Sequence, residues 1–247
     1  MRLSRRLETI IERTEAWAGG QKREICVADV GTDHGFVPIC LVERGIASRA
    51  LALDVREGPL MRAGGHVREH GLEKQITLRL GDGLKPLLPQ EADVVVMTGM
   101  GGELMLRILK EGGHVRDLVQ CWIFSPQSEL ALFRHGLEDL GLAIRDEKML
   151  EEDGKYYTVM TAEAGQMHYA DECGYRYGEL LIVKKSPVLA EYLEKEIRQL
   201  FNIRRQLLAD SGDGAKRRLE EIGCELQQAK RVKDLLAGQE AADTGKE

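Results

Sequence analysis

The chain has 247 residues, 43% hydrophobic and 31% charged, a soluble globular balance that suits one large domain or one domain with an appendage. A formal net charge of −6 argues against a protein that coats nucleic acid non-specifically, and no run of about eighteen apolar residues is available to cross a membrane. Five scattered cysteines (Cys26, Cys40, Cys121, Cys173, Cys224) include no CxxC pair, so no metal is expected and the setting is reduced and cytoplasmic.

At the N-terminus, Met1 to Thr14 alternate Arg and Glu with aliphatics and lack the apolar core of a signal peptide, so secretion is not expected. Leu3, Leu7, Ile10 and Ile11 mark one face of an amphipathic helix capped near Ser4. From Ile25 to about Gly165, short apolar runs alternate with segments of helical period, the signature of a parallel α/β sheet. Strands are predicted at Ile25–Val30, Ala50–Val55, Ile76–Leu80, Asp93–Thr98 and Val119–Phe124. The helices between them are expected at Phe36–Arg44, Pro59–His70, Glu103–Glu111 and Glu129–Leu140. Ala143–Leu150 and Tyr156–Ala162 flank the polar turn Glu151-Glu152-Asp153-Gly154-Lys155 and read as a β-hairpin, making the last strand antiparallel. After about Ser186 the strand signal stops. Leu189, Leu193, Ile197, Leu200, Ile203 and Leu207 recur at steps of three and four, and the spacing resumes at Leu219, Ile222, Leu226, Ala229, Val232 and Leu236. The break at Ala209–Gly214 makes this an antiparallel helical hairpin of coiled-coil type over 186–238, after a domain spanning 1–168. Residues 239–247 read as a disordered tail.

The strand ends carry the chemistry. The first runs into Asp29-Val30-Gly31-Thr32-Asp33-His34-Gly35, a GxxxG loop preceded by an acid, unlike the GxGxxG of dinucleotide binding. Asp29 and Asp33 would repel a pyrophosphate but suit a ligand with an amine and a sulfonium; an ordinary tight strand–helix turn is the other reading. Asp54, ending the second strand, can accept from both hydroxyls of a ribose with Val55 against an adenine face, or be a plain surface charge. In Gly81-Asp82-Gly83-Leu84 the acid can accept from an adenine amino group with Gly83 leaving room for the ring, although Gly-Asp-Gly alone is a turn. Gly99-Met100-Gly101-Gly102 after the fourth strand keeps the backbone close to a ligand and offers a soft apolar contact, or is a Gly-rich helix entry. All these loops converge on one carboxyl edge of the sheet, where ligands of open α/β sheets bind.

The acid-GxxxG loop, ribose acid, Gly-Asp-Gly and final antiparallel hairpin resemble the class I (Rossmann-like) methyltransferase pattern and select S-adenosylmethionine over NAD as cofactor. In finer detail, Leu3-Ser4-Arg5-Arg6-Leu7, the Asp29–Gly35 loop with Pro38, Gly58-Pro59, Gly81–Leu84, Gly99–Gly102 and Glu151–Tyr157 follow one another as in the bacterial TrmK family. That resemblance implies a tRNA methyltransferase acting on N1 of adenine 22 in the D-loop. Two departures stand out: Ser125-Pro126-Gln127 where the family shows Gln-Pro-Asn, and Gly178-Glu179 where it shows Gly-Pro.

For such a reaction the cofactor-binding residues are Asp29, Gly31, Gly35, Asp54, Val55, Asp82, Gly83, Gly99, Met100 and Gly101. Asp33 would stabilise the positive charge that attack through N1 puts on the ring, or accept from the exocyclic amine; His34 beside it is the second catalytic candidate or a structural hydrogen-bonder. Arg2, Arg5 and Arg6 at the start, and Lys216, Arg217, Arg218, Lys230, Arg231 and Lys233 in the last helix, could touch tRNA phosphates. Interleaved Glu220, Glu221 and Glu225 allow a plain solvated face instead. With aromatics at 5%, base-stacking platforms should be few. Competing readings are a methyltransferase of another RNA, a small molecule or a protein, and a non-catalytic nucleotide-binding scaffold. Neither membrane nor metal is expected as a partner, and the residues carry no signal for a particular oligomeric state.

Overall fold

The computed structural model describes residues 3–208 and 213–238, and the chain divides after His168 into two compact units. The first is built on one seven-stranded sheet: β1 (Cys26–Val30), β2 (Arg49–Asp54), β3 (Ile76–Leu80), β4 (Val94–Thr98), β5 (Cys121–Ser125), β6 (Leu142–Glu152) and β7 (Lys155–Ala164), in the order β3-β2-β1-β4-β5-β7-β6. Pairs β1–β2, β1–β4, β2–β3 and β4–β5 are parallel; β7 runs antiparallel to both β5 and β6. The strand order reverses between β1 and β4, the switch point at which open α/β sheets bind ligands.

β1, β4 and β5 are apolar on both faces because helices cover both sides, whereas the edge strand β3 alternates and leaves Leu80 exposed. On one face Ile10, Ile11, Val27, Leu41, Val94, Val96 and Ile123 form the core under α1 (Arg5–Ala18) and α2 (Phe36–Glu43). On the other, Trp122 stacks on Phe124, whose ring meets the edge of Phe133 from α6 (Leu130–Asp139) at 5.1 Å. α3 (Glu57–Glu69) follows β2, and α4 (Gly102–Glu111) follows β4, with a short α5 (Gly113–Arg116) behind it.

Two features bring the N-terminal helix to the carboxyl edge of the sheet. Ser4 Oγ accepts the Leu7 N–H at 3.2 Å and starts α1, a cap of the kind that contributes about 1 kcal/mol. α1 is then tied along the β6–β7 hairpin: Lys148 pairs with Glu12 at 2.6 Å, Trp17 Nε1 donates to Glu163 at 2.9 Å, Arg13 pairs with Asp146, and Arg5 donates to the Glu151 carbonyl at 2.9 Å. The hairpin is longer than its sequence pattern suggested. Its turn is only Asp153-Gly154, both at positive φ (51° and 77°), the two-residue geometry whose twist matches the strands.

The second unit starts at Tyr169, seventeen residues ahead of the predicted hairpin domain at Ser186 (186 − 169). A π-helical turn (Gly174–Gly178) runs into α7 (Glu179–Val183), then α8 (Pro187–Leu207) and α9 (Asp213–Ala237). Leu200, Ile222 and Leu226 form the seam between α8 and α9, with Ile197 and Leu207 against it. Arg176 in the π-turn contacts Glu196 and Glu225, and Tyr177 donates to Glu196 at 2.8 Å, so one arginine links both long helices. Arg2, the link at 209–212 and the tail at 239–247 lie outside the described residues.

Candidate active site

The loops that follow β1 to β5 enclose a cleft of about 550 Å³ at the carboxyl edge of the sheet. Its floor is made by the last residues of β1 and β2. Asp29 and Asp54 are both 5% exposed, fixed by strand pairing of Asp29 with Ala52 and of Asp54 with Leu80. Asp54 Oδ1 accepts the Arg56 N–H at 2.8 Å, leaving acceptor positions on the same carboxylate. Asp29 has no ion pair among the described residues. Burial pushes its carboxyl up to about 6, Thr32 pulls the other way, and the neighbouring charge of Asp54 adds to the rise.

The rim is built differently. Asp33, 55% exposed, pairs with Arg62 at 2.5 Å and lies 3.4 Å from His34 Nε2; the Arg62 hydrogen bond holds its carboxyl below the ordinary range. Asp82 pairs with Lys85 at 2.8 Å and stands 3.7 Å from Arg107, with Lys85 the main cause of its lowered pKa. Arg6, Arg56 and Arg107 also line the cleft. An acidic floor therefore opens through a rim of exchangeable cations.

His34, Phe36 and His66 form an aromatic cluster at the start of α2, with centroids 5.0 to 5.7 Å apart and interplanar angles of 12° to 25°. His66 Nδ1 lies 2.8 Å from the His34 carbonyl, joining α3 to the β1 loop. His34 and Phe36 line the cleft and present ring faces where a base could stack.

The glycines divide by cause. Gly31 sits at φ +83°, and its N–H and that of Thr32 both donate to the Leu53 carbonyl, at 2.8 and 2.9 Å; the turn is held by the sheet. Gly35, also left-handed, lets α2 approach α3: a Cβ there would stand 3.2 Å from that of Ala63. Gly83 lines the cleft at φ +59°, and a Cβ there would meet Ile108 at 2.8 Å, so close packing against α4 by itself requires glycine. Gly101 does not line the cleft; it caps α4 and makes room for Ser128. Gly99 and Met100 do line it, and the Gln127 N–H donates to the Met100 carbonyl at 2.9 Å, bringing the departing Ser-Pro-Gln segment onto the wall.

Of the sequence-derived candidates, Asp29, Gly31, Asp33, His34, Gly35, Asp54, Val55, Asp82, Gly83, Gly99 and Met100 meet around this one cleft. Sequence reading missed Thr32, Phe36, Arg56, Arg107 and Gln127 on its wall, and Arg62 and His66 behind it. The proposed tRNA-binding cations separate by partner. Arg5 is held by the hairpin, while Arg6 stacks over Tyr157 at 5.0 Å and lines the cleft. In α9, Arg218 pairs with Glu221 and Glu225, Arg231 with Asp171 at 2.5 Å, and Lys230 covers the Phe201 ring. Arg217 is 86% exposed with Glu221 no nearer than 3.8 Å, and Lys216 is exposed in the same turn. Among the described residues no cluster could hold a metal, and no helix is long and apolar enough to cross a membrane.

Comparison with known proteins places this geometry. The family model described as "TrmK: tRNA (adenine(22)-N(1))-methyltransferase" matches residues 27–231. The tRNA (adenine(22)-N(1))-methyltransferase of Bacillus subtilis is 32% identical over 240 residues, 95% of this chain and 98% of that protein. A Streptococcus pneumoniae protein solved in complex with S-adenosyl-L-methionine superposes with a TM-score of 0.80 at 32% identity, covering 94% of this chain and all of that one. TrmK of M. capricolum, solved with the product S-adenosyl-homocysteine, gives 0.79 at 25% identity over 96% of this chain and all of that one. The sheet is the Rossmann-like methyltransferase sheet with an antiparallel final hairpin, followed by a C-terminal helical pair, and the chain belongs to the TrmK family of tRNA (adenine(22)-N(1))-methyltransferases.

Proposed function

We propose that this protein transfers the methyl group of S-adenosylmethionine to N1 of adenine 22 in the tRNA D-loop, in the cytoplasm. The observation that carries the reading is the buried, cation-free Asp29 beside Asp54 on the floor of the cleft. The residues present fit the cofactor: a buried carboxylate with no cationic partner among the described residues suits a cationic ligand, and Asp54 retains acceptors for ribose hydroxyls. The exposed Val55 and the Met100 side chain offer it apolar contact. When bound, S-adenosylmethionine supplies a methyl group already activated by its sulfonium.

The chain's own work is to position and to exclude water. Adenine N1 lies on the pairing edge, so the base must enter unpaired or turned out of its stack. His34 and Phe36 give the entering ring a stacking surface. Asp33, kept ionised, faces the positive charge that develops on the ring or accepts from the exocyclic amine; being ionised and hydrogen-bonded, it acts through charge. His34 then serves as wall and as a neighbour of Asp33. Arg6 at the cleft and Arg217 on α9 are the cations best placed to take phosphates, each on its own unit.

The test is incubation with unmodified tRNA and labelled cofactor, followed by mass-spectrometric mapping of the product. Label is expected at position 22 and absent from tRNA carrying another base there. Cofactor binding without transfer to RNA would return the protein to methylation of a small molecule or another protein. Asp33→Ala should abolish transfer and leave cofactor binding within about threefold, since Asp33 is exposed and already paired.

A further inference from the structure

Arg62 belongs to no motif and lies outside the cleft wall, yet it reaches across the first turn of α3 to the carboxylate proposed to serve the base. Its guanidinium passes 3.9 Å from where a side chain on Gly58 would begin, and one Nη donates to Asp33 at 2.5 Å. Arg62 is 51% exposed and Asp33 55%. An exposed pair of this kind contributes little to stability and exchanges partners readily. The guanidinium fork has five donors, and phosphate matches its geometry bidentately. The neighbouring rim cations, Arg6, Arg56 and Arg107, leave the cleft entrance electropositive above an acidic floor, an arrangement that admits a nucleotide whose phosphates stay outside while its base descends.

On the reading that tRNA is the substrate, we infer that Arg62 is an exchange cation: in the free protein it holds Asp33, and when RNA docks it passes to a phosphate flanking the target adenosine, releasing Asp33 to the base. The free enzyme thus keeps Asp33 oriented and neutralised, and a docked phosphate competes with Asp33 for the guanidinium. The device ties readiness of the site to presence of the correct polymer. Arg62 is thus a substrate-binding residue in the complex and a partner of Asp33 in the free protein.

The experiment compares wild type, Arg62→Ala and Arg62→Lys in steady-state methylation of tRNA, with salt varied. For Arg62→Ala, KM for tRNA should rise about tenfold, the salt slope should fall by about one phosphate contact, and kcat and KM for S-adenosylmethionine should be held. Arg62→Lys, a point charge without the fork, should recover part of the KM. A fall in kcat with unchanged KM for tRNA would mean that Arg62 merely orients Asp33. A rise in KM for S-adenosylmethionine would assign Arg62 to the cofactor's carboxylate. Either result overturns the exchange. Failure of the wild-type protein to methylate tRNA would instead overturn the functional reading beneath it.

Discussion

Two acids on opposite sides of the first unit are buried to the same degree and treated in opposite ways. Glu147 on β6 is 3% exposed and meets Arg134 of α6, itself 0% exposed, with Nε and Nη2 at 2.9 and 2.8 Å from one carboxylate oxygen. Asp29 on β1 is 5% exposed and meets no cation among the described residues. Both pay for removal from water, but only the first is compensated internally. A buried charge paired inside the chain is part of the fold. One left without a cation at the mouth of a sheet is, on the proposed function, the place for a ligand of opposite charge.

The largest expected effect tests the paired acid. Arg134→Met leaves Glu147 buried without its partner and should cost about 3 to 5 kcal/mol in urea unfolding. Replacing Glu147 by Leu in the same chain should recover most of that loss. If Arg134→Met were nearly neutral, the pair would not be the internal compensation described.

The unpaired acid should behave with the reverse sign. The folded carboxyl of Asp29 titrates near 6 against an ordinary 3.8, so burying it ionised destabilises the cofactor-free protein above pH 6, and the penalty vanishes as pH falls towards 4. Asp29→Asn should therefore stabilise the cofactor-free protein by up to about 3 kcal/mol at pH 7 and by almost nothing near pH 4. The same substitution should weaken S-adenosylmethionine binding at least tenfold. A variant that gains stability while losing its ligand is the signature of a site held in readiness. Loss of stability at pH 7 would show that Asp29 serves the fold.

Much of this arrangement was legible in the residues, and the part that was not has a physical cause. Strand ends, acids and tight loops are local: Asp29 through Gly35 are consecutive, and parallel strands deliver consecutive loops to one edge. Arg62 and Arg107 carry no local pattern and reach the site region only because α3 and α4 pack beside it. Arg134 and Glu147 carry no sequence signal of burial or pairing, which comes only from β6 pairing on β7 under α6. Gly83 looked like room for a ligand, but closeness to Ile108 depends on the path of α4. The segment 169–185 between the two predicted parts stayed unread because Gly174–Gly178 makes a π-turn, whose period matches neither helix nor strand.

A pH titration sharpens the contrast further. Cationic cofactor should bind to the ionised form of Asp29, so its affinity should be flat above pH 6 and fall towards tenfold per pH unit below it. The D29N protein is the control: its affinity should be lower and should lose the part of the pH dependence that Asp29 causes. Persistence of the full pH dependence in D29N would place the titrating group elsewhere.

The smallest effect applies the same rule to surface cations of the helical unit. Arg218 is shared by Glu221 at 2.8 Å and Glu225 at 3.0 Å, whereas Arg217 in the same turn projects into solvent with Glu221 only at 3.8 Å. A phosphate reaching Arg218 must first displace two carboxylates; at Arg217 it displaces almost nothing. Arg217→Ala should weaken tRNA binding about threefold and reduce its salt slope, and Arg218→Ala should do less of both. Equal losses would mean that α9 presents its basic residues to RNA irrespective of their internal partners, and that pairing decides the fate of a charge only where water is excluded.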